Sequence, residues 1–202
     1  MADNNANNPS TGAGPVHDAL MELSRLAAQV AETLEPEIQK AAELLAESLA
    51  DGGKLLACGN GGSAADVQHM VAELVGRLCK DRPALPAVSM TTDPSIMTAL
   101  GNDYGFDNVF ARQVEALGKS EDILLCLSTS GTSANVVRAA EVARKLGMKV
   151  IAMVGSHAAP ILAEADVCIR IPSDSGQRIQ ELHTAVIHCI CDRAERRLFP
   201  DM

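Results

Sequence analysis

The chain has 202 residues and a net charge of −9, and 47% of its residues are apolar while only 2% are aromatic. That length suits one substantial core, and a core so poor in rings must be built from Ala, Leu, Val, Ile and Met, as in helices packed over a parallel sheet. The acidic balance and the scarcity of rings for base stacking argue against nucleic acid, and the absence of a long apolar run or a signal-like N-terminus argues against a membrane, so a cytoplasmic protein is expected.

Residues 1–15 are rich in Asn, Gly, Ser and Pro and read as a flexible tail; residues 16–202 read as one domain with an N-terminal helical extension over about 16–52. Leu20, Leu23, Leu26, Ala27 and Val30 recur every three or four residues, which predicts an amphipathic helix over 17–32. Pro36 opens a second helix that ends near Asp51-Gly52-Gly53. Leu55-Leu56-Ala57 then leads as a strand into Cys58-Gly59-Asn60-Gly61-Gly62-Ser63, where glycines allow unusual backbone angles. A helical pattern follows to about Leu78 and carries His69 and Glu73 one turn apart. Such a strand, turn and helix presents unpaired N–H groups and a partial positive charge, so an anion can sit at Gly61, Gly62 and Ser63.

Asp81-Arg82-Pro83 breaks the regularity, residues 87–90 form a short second strand, and Thr91-Thr92-Asp93-Pro94 starts a helix. Gly101-Asn102-Asp103-Tyr104-Gly105 reads as a loop with an acid in it, and 108–117 as a helix. Residues 122–127 make a buried strand that ends in a run of small hydroxyls, Ser128-Thr129-Ser130-Gly131-Thr132-Ser133, before a helix over 134–146. The strand, small-polar turn and helix unit therefore occurs twice, and ligands of open parallel sheets bind at the carboxyl ends of strands. A strand over 149–154, a short helix over 159–164, a strand over 167–171 and a helix over 177–198 with Gln180, Glu181, His183 and His188 complete an α/β chain. The alternation predicts a three-layer αβα sandwich on a five-stranded parallel sheet. Cys58, Cys79, Cys126, Cys168, Cys189 and Cys191 fall mostly in apolar runs without a pair of CxxC motifs, and read as reduced core thiols.

A His/Glu pair at i, i+4 is by itself more often a solvated helix pair than a ligand set; the apolar setting of His69 and Glu73 just past the turn reverses that preference. The hydroxyl run could be a plain helix cap, but its density at a strand end favours phosphate. His183 reads as packing or support behind the site, and His17 and His157 as surface residues.

Five ordered segments, Cys58 to Ser63, Asp66-Val67-Gln68-His69 with Glu73, Gly101 to Gly105, Ser128 to Gly131 with Ser133 and Asn135, and Arg178 to Glu181 with His188, resemble the sugar isomerase (SIS) domain family and, within it, the bacterial phosphoheptose isomerases. The resemblance spans nearly the whole chain from about Gly53 onward. It implies conversion of sedoheptulose 7-phosphate to D-glycero-D-manno-heptose 7-phosphate, the first step toward heptose for lipopolysaccharide or surface glycans, by a homotetramer with sites between subunits. It implies one zinc ion per subunit on His69, Glu73, Gln180 and His188, and a phosphate site at Ser63, Ser128, Thr129, Ser130 and Ser133. Asn60, Asp103 and Arg77 would complete the sugar pocket, where Gln180 also serves. Read as bare residues, Arg77 could equally pair with a nearby acid and Asp103 could brace its loop.

Moving a proton between adjacent carbons through an enediol needs a base for carbon and a group for the oxygen proton, which suits Glu73 and His188. Zinc could polarise the carbonyl or organise the pocket, and Gln180 is the unusual member of its ligand set. Close relatives of these isomerases are non-enzymatic tetrameric partners of the bacterial replication initiator, and the C-terminal Leu198-Phe199-Pro200 resembles that branch. There the acid and the final histidine are replaced, whereas Glu73 and His188 are both present here, which tilts the reading to the enzyme. A sensor or an isomerase of another sugar phosphate is the third reading.

Overall fold

A computed structural model describes residues 14–157 and 159–202. Among the described residues, seven α-helices and five strands follow in the order α1 (Pro15–Thr33), α2 (Glu35–Ala50), β1 (Leu55–Gly59), α3 (Gly62–Val75), β2 (Ala87–Ser89), α4 (Pro94–Tyr104), α5 (Val109–Leu117), β3 (Ile123–Ser128), α6 (Ala134–Lys145), β4 (Lys149–Val154), β5 (Val167–Arg170) and α7 (Gly176–Leu198). Short 3-10 turns occupy Phe106–Asn108 and Pro160–Ala163. The strands form one parallel sheet in the order β2-β1-β3-β4-β5, so the expected architecture is present.

Side-chain alternation along the strands divides the core into two layers. Leu55, Ala57, Ile123, Leu125, Leu127, Ile151 and Met153 face the layer built with α2, α3 and α7. Leu56, Cys58, Leu124, Cys126, Val150 and Ala152 face the layer built with α5 and α6. Apolar runs rather than alternating polarity mark these strands because both faces are covered. Asp122, itself buried, joins the starts of β1 and β3 by accepting from Lys54 N at 2.9 Å and Lys54 Nζ at 2.5 Å.

Several sequence expectations need correction. Most of the tail expected at 1–15 lies outside the described residues, and Pro15 already begins α1 at the position its fixed φ suits. The helix after the glycine turn stops at Val75 instead of Leu78, because its final carbonyls turn to a side chain: Arg82 donates to the carbonyls of Glu73 and Leu74, both at 2.8 Å. Gly101 to Tyr104 is not a loop but the last turn of α4; the chain breaks only at Gly105, whose φ of 80° a side chain would resist. All six cysteines are free, yet Cys79 and Cys189 are exposed and so are not core thiols.

Arg82 also anchors the fold. Its side chain and that of Glu195 are almost completely buried, with Nε 3.0 Å from Oε2. Glu195 further accepts from the backbone N–H groups of Lys80 at 2.7 Å and Cys79 at 3.2 Å. Burial acts to raise this carboxyl, but those N–H groups and the guanidinium outweigh it and hold it below its usual range. Glu195→Ala would strand a buried guanidinium, and we expect a loss of about 3–5 kcal/mol; an unchanged midpoint in urea unfolding would refute this.

His183 is fully buried on α7, and neither ring nitrogen has a hydrogen-bond partner among the described residues. Burial pushes its pKa down to about 4, against a weaker upward pull from the Val154 backbone. The folded protein therefore holds the neutral ring while the unfolded chain takes up a proton from about pH 6.5 downward. Stability should fall by roughly 3 kcal/mol between pH 6.5 and pH 4 through this residue alone. Urea midpoints measured across that range should drop less steeply in His183→Leu than in the parent chain; equal slopes would remove His183 as the cause.

Candidate functional site

The strand order reverses between β1 and β3, and the carboxyl ends of these two strands carry the two small-polar turns. After β1 the chain comes back so tightly that a Cβ on Gly59 would lie 2.9 Å from the Ser63 carbonyl oxygen. Gly61, with φ 56° and ψ −121°, makes the turn that starts α3. After β3, Gly131 N–H donates to Ser128 Oγ at 3.0 Å, and Ser128 Oγ lies 3.2 Å from Ser133 Oγ. Thr132 N–H donates to Ser130 Oγ at 3.2 Å.

Ser133 occupies the cap position of α6, yet its side chain makes no capping hydrogen bond. The plain-cap reading of the hydroxyl run is therefore not what the structure displays. Ser63 and Ser128 are buried, Thr129 and Ser133 half-buried, and Ser130 exposed. The two turns are joined directly, since Asn60 and Asn135 exchange hydrogen bonds of 2.9 Å and 2.8 Å.

Behind the turns, α3 and α7 run side by side. Gly62 meets Gln180 so closely that a Cβ at position 62 would come within 2.5 Å of Gln180 Nε2. One turn on, Thr184 Oγ1 donates to Asp66 Oδ1 at 3.0 Å. At the next rung His69 Nε2 and His188 Nε2 are 2.8 Å apart, and Glu73 Oε1 lies 3.4 Å from His69 Nε2. Ligand atoms of His69, Glu73 and His188 all fall within 4.8 Å of one another. The cluster is open on one side, the His69 side chain being 43% and the Glu73 side chain 17% exposed.

This donor set fits zinc: two imidazole nitrogens and one carboxylate from two helices converge on one point, the three-ligand pattern that leaves a position for substrate. Gln180 lies against Gly62 at the start of α3, two turns before His188 on its own helix. Asp103 hydrogen-bonds its neighbour Asn102, and Arg77 has no ion pair or side-chain hydrogen bond among the described residues. Neither is drawn into the cluster by a polar contact within this chain.

Asp66 stands in a sequence motif without an evident role there, and Thr184 and Arg82 become functional neighbours only in the fold. Asp66 lies on the His69 and Glu73 face of α3 at i−3 and i−7, a spacing that could have flagged it. Burial raises its carboxyl above the usual range, more than the Thr184 hydrogen bond and the His69 ring lower it. Thr184 and Arg82 carried no such local signal. His17 and His157 are on the surface, as expected, beside Asp18 and Asp174.

Comparison with known proteins places this geometry in a family. The SIS domain matches residues 20–155. The chain is 47% identical over 191 residues to the phosphoheptose isomerase of Thiobacillus denitrificans, covering 91% of this chain and 97% of that protein. It is 49% identical over 183 residues to that of Geotalea daltonii, covering 91% and 92%. Among solved structures, the phosphoheptose isomerase of Neisseria gonorrhoeae superposes with a TM-score of 0.84 at 44% identity, covering 89% of this chain and 96% of that one. That of Francisella tularensis gives 0.87 at 39% identity, covering 90% and 96%. Two small-polar turns at the switch point, a His/Glu/His cluster behind them and relatives that match along nearly their whole length lead to one conclusion: this chain belongs to the phosphoheptose isomerase family of SIS-domain proteins.

Proposed function

We infer that the chain is a ketose–aldose isomerase that converts sedoheptulose 7-phosphate to D-glycero-D-manno-heptose 7-phosphate, the step that supplies heptose for lipopolysaccharide or surface glycans. The observation that carries this reading is the convergence of His69, Glu73 and His188 behind two anion-binding turns. Ser63 and His69 are separated by about 9 Å along α3, at about 1.5 Å per residue. A seven-carbon chain can span from its phosphate to its carbonyl end across that interval.

The phosphate would sit between Ser63 on the first turn and Ser128, Thr129, Ser130 and Ser133 on the second, with the N-termini of α3 and α6 directed at it. Asn60, Gly61, Gly62 and Gln180 line the path from there to the cluster. Glu73 takes the proton from C1 of the ketose while His188 delivers one to the C2 oxygen, giving the enediol. His188 then accepts the proton of the C1 hydroxyl as Glu73 returns its own to C2, so no proton is gained or lost. Zinc would be held by His69, Glu73 and His188, with Gln180 as the fourth ligand the resemblance implies, and would supply Lewis-acid polarisation of the substrate carbonyl.

The working assembly in this reading is a homotetramer with its sites at subunit interfaces. Support comes from the open side of the cluster and from the apolar residues that α1 leaves in water, Val16 at 74%, Leu20 at 61% and Met21 at 56% exposure. Arg77 and Asp103 would meet the sugar from such an interface. No helix among the described residues is long and apolar enough to cross a membrane.

Glu73→Gln and His188→Ala should each lower kcat on sedoheptulose 7-phosphate at least about 100-fold, without changing the assembly's mass by light scattering. Retained turnover in both variants would overturn the assignment of roles. Protein purified without chelators should carry one zinc per subunit by elemental analysis, and His69→Ala should lose it. A stoichiometry near zero that does not recover on adding zinc would reject the ligand set.

A further inference from the structure

Asn60 and Asn135 stand on opposite sides of the switch point, Asn60 in the turn after β1 and Asn135 in the first turn of α6 after β3. Their carboxamides pair reciprocally: Asn60 Nδ2 donates to Asn135 Oδ1 at 2.9 Å, and Asn135 Nδ2 donates to Asn60 Oδ1 at 2.8 Å. A reciprocal amide pair satisfies its hydrogen bonds equally well with both groups flipped, so by itself it fixes neither. A third contact removes the ambiguity. The backbone N–H of Val136, shared with the Ser133 carbonyl at 3.0 Å, donates to Asn135 Oδ1 at 3.0 Å, and only an oxygen can accept there. The main chain of α6 thus sets the orientation of Asn135, and Asn135 sets that of Asn60.

Each amide nitrogen carries two hydrogens, and the pair uses one of Asn60's. No other side-chain partner of Asn60 occurs among the described residues. Asn60 is half-buried beside the exposed Gly61 and Gly62, so its second N–H is available to a ligand at that turn. Asn135 is only 2% exposed and is itself spoken for on both amide atoms.

We propose that Asn135 is a positioning residue of the isomerase: without touching substrate, it fixes the Asn60 amide so that its free N–H donates to a substrate oxygen, and it holds the two phosphate-binding turns at one separation. The proposal rests on the isomerase reading, which makes Asn60 a substrate-binding residue.

A double-mutant cycle of Asn60→Ala, Asn135→Ala and the pair tests it. KM and kcat are measured on sedoheptulose 7-phosphate, and Kd for inorganic phosphate by calorimetry. Each single change should raise KM about tenfold, with kcat altered far less, since the contact exists in the ground state as well. In the Asn60→Ala background, Asn135→Ala should add almost nothing to KM. Independent, multiplicative effects would overturn the proposal, because a merely structural Asn135 would act whether or not Asn60 is present. Should Asn135→Ala not fold, Asn135→Ser takes its place; its hydroxyl keeps an acceptor in the first turn of α6 but is too short to pair with Asn60. Parent protein that neither turns over the sugar phosphate nor binds phosphate would sink the isomerase reading and this proposal together. Parent protein that does both while the cycle is multiplicative would sink the proposal alone.

Discussion

The lateral register of α3 against α7 is the constraint on which the rest of the structure depends, and the buried pair of Arg82 and Glu195 closes it at one end. Arg82 takes the last carbonyls of α3, while Glu195, about two turns beyond His188 on α7, takes the guanidinium and the N–H groups of the following loop. Such a pair contributes less to net stability than its charges suggest, since both ions must leave water. Its effect is geometric: it sets where α3 ends relative to α7. At the other end Gly62 admits the Gln180 side chain, and between them Asp66 holds Thr184. With both ends and the middle fixed, His69 and His188 come within 2.8 Å although 119 residues separate them in sequence.

The sheet supplies a second constraint. Because β1 and β3 are neighbours and their connections leave toward opposite faces, α3 and α6 begin on the two sides of the gap between these strands. Gly59 and Gly61 let the first turn fold back closely enough for Ser63 to be buried at the start of α3, and Gly131, with φ 66°, does the same for the second turn. The amide pair across the gap ties together two turns that belong to different strand–helix units. Ser128 and Ser133 then face each other with hydroxyls that α6 does not consume for its own cap.

In the proposed reading, one helix links phosphate binding to chemistry. α3 begins at the glycine turn and carries His69 and Glu73 further along, so it would set the distance between a phosphate at that turn and the reacting carbons. Isomerisation requires that the acid–base groups stay fixed while the substrate proton moves, and a helix locked at both termini meets that need better than a loop would.

The alternation of five parallel strands with helices, the two small-polar turns and the pairing of His69 with Glu73 are legible in the sequence, because each is a local pattern: apolar runs of strand length, glycines at a strand end, a four-residue spacing on one helix. The ends of elements are not legible there. Val75 ends α3 and Gly101 to Tyr104 stay helical for reasons supplied by a distant guanidinium and by the position of a positive φ, neither of which a residue pattern displays. The family resemblance makes Asn60 a sugar contact; the fold ties its carbonyl oxygen and one of its N–H groups to Asn135, 75 residues away. Thr184, Arg82 and Glu195 took their meaning only from tertiary structure, since a hydroxyl or a charge on a helix is unremarkable until its partner across the interface is known. What only the fold decided is which groups separated along the chain come within hydrogen-bond distance, because that depends on the register of packed elements and not on the composition of any one of them.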